Sequence, residues 1–418
     1  MDMNEHRGKR DERGKRAPLK YSDFESPIGR GPTGHETRVW RPAAVLEDRP
    51  TFRAKILIPA RGSKRRGVQW ASAPRTLEFV EQHSDQQVHE AARAGLADEL
   101  AAMLAIDASL IDAKGIDART PLHCAGTPVV AALLLDHGAR IDARDEDHDS
   151  TPAQWRISES PDVARFLLER GAKPDIFLAA ALGELALAER LVRDDRGCLA
   201  HRIGKAPEFP PIGYKGRGGT IYQWTLGFNS YPHQIALLKG HQAMFDYLYA
   251  QSDMKTRLLV NCVLARRTEA EEIANAHSEI VPQLPDVDRE LVARYCWETN
   301  TNYAAVELML DLGFPVAHPE RSHGYTPLHN AAWAGSGDLV ELLIARGHPV
   351  DVCDPAYDAT PLGYALHDCL VEKRHPEGEF ARVITALLKA GSPLKGVKYP
   401  TGNAGVDEVL HPYIQAAS

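Results

Sequence analysis

The sequence lacks any long hydrophobic run. Its longest apolar stretches, such as Thr127 to Leu135, fall far below the roughly 18 residues that a bilayer-spanning helix requires. A helical membrane protein is therefore not expected, and residues 1 to 16 are too charged to be a secretory signal. Cysteine is sparse: the six residues Cys124, Cys198, Cys262, Cys296, Cys353 and Cys369 are scattered, and no two form a C-x-x-C pair. That spacing offers neither a dithiol redox motif nor a paired zinc knuckle, and it suits a reducing cytoplasm. A cytoplasmic protein without a cofactor is the expectation.

Charge of one sign is missing from each part of the chain in turn. Residues 1 to 75 hold 18 Lys+Arg against 9 Asp+Glu, a balance of +9. Subtraction from the totals leaves 31 Lys+Arg (49 − 18) and 48 Asp+Glu (57 − 9), or −17, for residues 76 to 418. An acidic body repels phosphates and argues against a sequence-independent grip on nucleic acid. The basic segment 1 to 75, rich in Arg, Lys, Gly and Pro with short apolar islands such as Phe52 to Pro59, reads as a flexible arm. As a tether it would bind nucleic acid or an anionic membrane while the remainder recruits cargo.

From Gln86 onward the composition changes to Ala- and Leu-rich helical stretches, interrupted by Gly, Pro and Asp. The clearest unit runs from Arg321 to Cys353, with Thr326-Pro327-Leu328-His329, Ala331-Ala332 and Gly335, then Leu339, Leu342, Leu343 and Ile344, and a closing Gly347. Thr326 suits an N-cap, and Pro327 suits the first helical position, where its missing N–H costs nothing. The two alanines let helices approach closely. Gly335 and Gly347 suit the positive φ that ends a helix. The leucines form a stripe of helical period that a lone helix pair cannot bury, so stacked neighbours are required.

In order and spacing these residues resemble the ankyrin family, whose repeats recur about every 33 residues. The same pattern returns as Val88-His89 with Ala91-Ala92 and Gly95, as Thr120-Pro121-Leu122-His123, as Thr151-Pro152, as Leu178 to Gly183, as Tyr231-Pro232-His233, and as Thr360-Pro361-Leu362. Gly138 follows Thr120 by only 18 positions where Gly347 follows Thr326 by 21, so the second unit's first helix should be about one turn short. The fold expected is all-α, an ankyrin-repeat α-solenoid of about nine helix-turn-helix units. It would occupy 76–418, with clear repeats over 86–192 and 321–391, degenerate ones over about 254–318, and an insertion over about 201–220. That insertion, rich in Gly and Pro, should project from the stack as a loop.

Few residues suggest chemistry. The resemblance implies that the repeat histidines His89, His123, His233 and His329 hydrogen-bond to their own Thr and to neighbouring loops. Asp145, Asp147 and Asp149 stand where a calcium loop has its first ligands, but Ser150 replaces the Gly and Arg156 the closing Glu, so a solvated hairpin tip is favoured. His367-Asp368-Cys369 with His375 has no second ligand pair, and Gly216-Arg217-Gly218-Gly219 lacks the Gly-Lys-Ser/Thr ending of a phosphate loop. No catalytic, cofactor or metal residue is assigned.

The function expected is a non-catalytic scaffold that binds a partner protein through hairpin tips and the concave face of the first helices. In the clearest unit those positions are Ser322, His323, Tyr325, Trp333 and Ala334. Trp333 lies off the apolar stripe and should be partly exposed. The alternative is an enzyme whose site lies in the 201–220 insertion and the degenerate repeats around Cys262, Cys296 and Trp297.

Overall fold

The computed structural model describes residues 84–211, 213–297, 301–321, 323–373 and 377–417. The basic arm over 1–75 and Ser322 lie outside the described residues. Local rules build each unit. In the clearest repeat the Thr326 hydroxyl accepts a hydrogen bond from the His329 N–H, Pro327 opens the helix Pro327–Trp333, and Gly335 follows at φ +64°. The Ser336 N–H then bonds to the Ala331 carbonyl, which satisfies an orphan acceptor at the helix end and turns the chain into Gly337–Ala345.

The described residues form nine such pairs. They are Asp85–Ala94 with Ala97–Ile106, Pro121–Cys124 with Pro128–Asp136, Pro152–Glu159 with Pro161–Glu169, and Ile176–Leu182 with Leu185–Asp194. After the insertion come Pro232–Leu238 with Gln242–Gln251, Met254–Val263 with Arg267–Ala276, and Leu291–Tyr295 with Tyr303–Asp311. Pro327–Trp333 with Gly337–Ala345 and Pro361–His367 with Glu377–Lys389 complete the series, and Ala404–Ala417 packs on the last pair. The second unit's first helix has four residues against seven in the clearest one, the shortening its spacing implied. No strand occurs among the described residues, and none of their helices is long and apolar enough to cross a membrane.

First helices pack on first helices through the opening four units and second on second through the opening three, and both pairings recur in the last two. In the degenerate middle the pattern changes: Met254–Val263 touches Tyr303–Asp311, a first helix against a second. The interfaces are apolar. Ala91, Ala92, Ala131, Ala164, Ala179, Ala331 and Ala332 are buried beside Leu100, Leu134, Leu167, Leu328 and Leu343. Each fully buried leucine contributes about 2 kcal/mol.

Leu134→Ala should cost about 2–5 kcal/mol, since the side chain is wholly enclosed. Val129→Ala, one turn earlier on the same helix but 66% exposed, should cost almost nothing. Urea midpoints for both variants check this contrast; equal shifts would contradict the stacked core.

Candidate partner-binding surface

The polar residues of the repeat are committed inward. His123 takes a hydrogen bond from the Thr120 N–H on Nδ1 at 3.0 Å, and its Nε2 reaches the Ser150 carbonyl of the next unit at 3.2 Å. His329 repeats this with Thr326 at 3.3 Å and the Ala359 carbonyl at 3.1 Å. An imidazole that accepts at Nδ1 and donates at Nε2 is neutral. Burial favours that state, pushing His123 down to about 4 and lowering His329 as well. His89 and His233 depart, because the third helical position behind the cap, held by His123 and His329 in their units, is Gln87 and Gln234 in these two. His89 spans the Asp85 and Arg119 carbonyls, while His233 Nε2 meets the Ser252 hydroxyl at 2.9 Å.

Buried acids shape the hairpins. Asp145 accepts from the His148 and Ser150 N–H groups, both at 2.7 Å, and from the Trp155 indole at 3.3 Å. Asp354 accepts from the N–H groups of Ala356, Tyr357 and Ala359. The solvated tip expected at Asp145 is thus corrected: that carboxylate is buried because it closes the turn. A signal was present and unread, for an acid stands six residues before the repeat Thr at Asp145, Glu320 and Asp354. Glu320 lies beside Arg294 at 3.2 Å, and Arg294 also meets the buried Glu290 at 3.1 Å, which joins the seventh unit to the eighth.

The residues singled out in the clearest unit separate into two kinds. His323 and Ala334 remain accessible in part. Tyr325 is 3% and Trp333 only 6% exposed, so the expected exposure of Trp333 is corrected. Its ring stacks on His367 at 5.8 Å and meets Tyr364 edge-on at 5.9 Å, while Tyr325 meets Tyr364 at 5.5 Å. Both are packing between the last two units. The exposed aromatic of this region is instead Tyr357, 53% exposed in the final hairpin, with Ile116, 63% exposed, in the first.

The 201–220 insertion does not project either. Ile203, Phe209 and Ile221 are buried, and Phe209 packs edge-on against Phe177 at 4.7 Å. An apolar side chain every few residues gives this loop a stronger reason to cover the stack than to leave it. Cys262 and Cys296 are fully enclosed nearby. Burial pushes the Cys262 thiol up to about 12 and the Cys296 thiol up as well, so neither supplies a thiolate near neutral pH.

A model of the ankyrin repeat matches residues 323–355, the unit whose cap, histidine bridge and glycine turns have just been described. That unit is an ankyrin repeat. Among solved structures, the human ASB11 ankyrin repeat domain is similar at 19% identity, with 73% of this chain and 98% of that chain covered and a TM-score of 0.27. At that score the likeness carries no argument, and the family match is to the one unit. No curated protein matches the chain by sequence.

Buried histidines make stability depend on pH. His123, His233 and His348 each sit at about 4 when folded and near 6.5 when unfolded. Between these values the unfolded chain binds more protons, so stability is fully present above about pH 6.5 and falls as pH drops toward 4. Each histidine contributes on the order of a few kcal/mol to that loss. Urea midpoints at pH 7.5, 6 and 5 should decline, and His123→Gln should flatten the slope.

Proposed function

We propose that this chain is a non-catalytic scaffold that grips a partner protein through its hairpin tips and the accessible side of its first helices. Ankyrin repeats are in general protein-binding modules. The observation that carries the proposal is a division of labour within each hairpin. The recurring polar groups close turns and bridge units, while the tips present large apolar side chains to solvent, Ile116 and Tyr357 above all. Each lies within the six residues that precede its repeat Thr, on a backbone held by neighbouring hydrogen bonds. Rigidly presented Tyr is a frequent interface anchor, because little conformational entropy is lost when it docks.

Support for the non-catalytic side of the reading comes from the groups that offered chemistry. His123 and His329 are used between repeats, and Cys262 and Cys296 are enclosed thiols. The acidic balance of 76–418 favours a protein partner over nucleic acid. The scattered free cysteines are consistent with the cytoplasm as its compartment.

The test uses surface residues, since truncating Tyr325 or Trp333 would disturb packing. Affinity capture from cell extract with mass spectrometry should recover a defined partner set with the wild-type chain. The double variant Ile116→Arg, Tyr357→Arg should lose it while keeping the wild-type melting temperature. Recovery of the same partners by both chains would sink the assigned surface.

A further inference from the structure

Two hairpin tips and the insertion meet at one point on the molecule. Asp117 stands in the tip between the first and second units, and its carbonyl accepts a hydrogen bond from the Glu146 N–H of the next tip at 2.7 Å. Asp147 and His148 follow Glu146. One ligand atom from each of Asp117, Asp147 and His148 lies within 4.8 Å of the other two.

The insertion determines which atoms these are. The Gly218 N–H donates to Asp147 Oδ1 at 2.9 Å and to the Asp147 carbonyl at 3.1 Å. The Gly219 carbonyl accepts from His148 Nδ1 at 2.9 Å. With Oδ1 and Nδ1 occupied, Asp147 Oδ2 and His148 Nε2 remain, 3.6 Å apart. This is the outer-shell pattern of a metal-binding histidine: a carbonyl on one ring nitrogen fixes the tautomer and leaves the lone pair of the other directed at the ion. Two ligands about 2.0–2.1 Å from a tetrahedral zinc-like ion stand about 3.3 Å apart, close to the separation present. Only glycine permits the approach, because a Cβ at Gly218 would lie 2.3 Å from Asp147 Oδ2 and 2.9 Å from His148 Cε1.

The third donor is unspent. The Asp117 carboxylate is exposed and makes no hydrogen bond or ion pair among the described residues. Two carboxylates that face each other repel, and a cation held between them relieves that repulsion. Nearby cations are engaged elsewhere. Arg119 lies over the Trp155 ring at 4.4 Å with Nε on the Ile116 carbonyl, and Arg144 and Arg217 pair with Asp149. Asp145 is spent on its own turn.

We propose that Asp117, Asp147 and His148 bind one divalent transition-metal ion of the zinc class, which ties the insertion to two hairpin tips. One imidazole and two carboxylates suit such an ion better than magnesium or calcium, which take all-oxygen sets. Three protein ligands leave a fourth position to water. The Asp117 oxygen, within 4.8 Å of the other two ligand atoms, would move inward by at most about 1.5 Å to the roughly 3.3 Å separation of tetrahedral ligands.

The experiment uses the full chain freed of metal with EDTA. Zinc chloride is titrated calorimetrically, and cobalt chloride is followed by its visible d–d absorption. The wild type should take up one Zn2+ with a rise in melting temperature, and Co2+ should give the intense band of a four-coordinate site. Asp117→Asn should weaken the affinity about tenfold or more, abolish the thermal shift, and melt like the wild type in EDTA, since Asn tolerates the left-handed backbone at this position (φ +57°). His148→Gln should weaken binding similarly, and His411→Gln, remote and exposed, should leave it unchanged. Equal Zn2+ affinity in wild type and Asp117→Asn overturns the site. So does magnesium chloride matching zinc chloride, which would mark an acidic patch that collects any divalent ion, and so does the absence of Zn2+ uptake.

Discussion

The described structure depends on a buried hydrogen bond that leaves one repeat and ends in the backbone of the next. His89 reaches Arg119, His123 reaches Ser150, and His329 reaches Ala359, with 27 to 30 residues between donor and acceptor. Apolar burial alone would let helix pairs slide over one another, because the hydrophobic effect has no direction. An imidazole with one proton to give and one carbonyl within reach defines the register. Desolvation makes the interaction stringent, since a buried ring nitrogen left without a partner costs about 1–3 kcal/mol.

Where that bridge is absent, other residues carry the join. Behind Tyr231 the third helical position is Gln234, which caps the Tyr231 N–H, and His233, one place earlier, finds a side-chain partner in Ser252. The middle of the chain is held instead by the Arg294 link between Glu290 and Glu320, and by the insertion, whose Phe209 closes against Phe177 and Tyr222. Besides bonds to Ser230 and Val287, the insertion makes polar contacts with an earlier hairpin, at Asp147 and His148. It therefore braces that earlier hairpin, and Gly218 permits the close approach.

The aromatic residues show how position on a helix is outranked by what stacks on it. Trp333 lies off the leucine stripe of its own unit, which predicts exposure when the unit is considered alone. The following repeat brings Tyr364 and His367 over it, and the ring becomes interface. Tyr357, in a hairpin with no such neighbour above its ring, stays in solvent.

Much of the fold was legible in the order of residues, because caps, prolines, glycine turns and the helical stripe act over fewer than ten positions. Thr326, Pro327, Gly335 and Gly347 do what their local chemistry dictates, and the short second unit could be counted from Thr120 to Gly138. The recurrent acid before each Thr was equally readable in principle. Contacts across 70 residues were not. That Gly218 and Gly219 clasp Asp147 and His148, that Asp117 faces them, and that Trp333 is covered all follow from how units stack. Stacking is decided by surfaces from separate repeats meeting in space, and no short stretch of sequence contains both halves of such a surface.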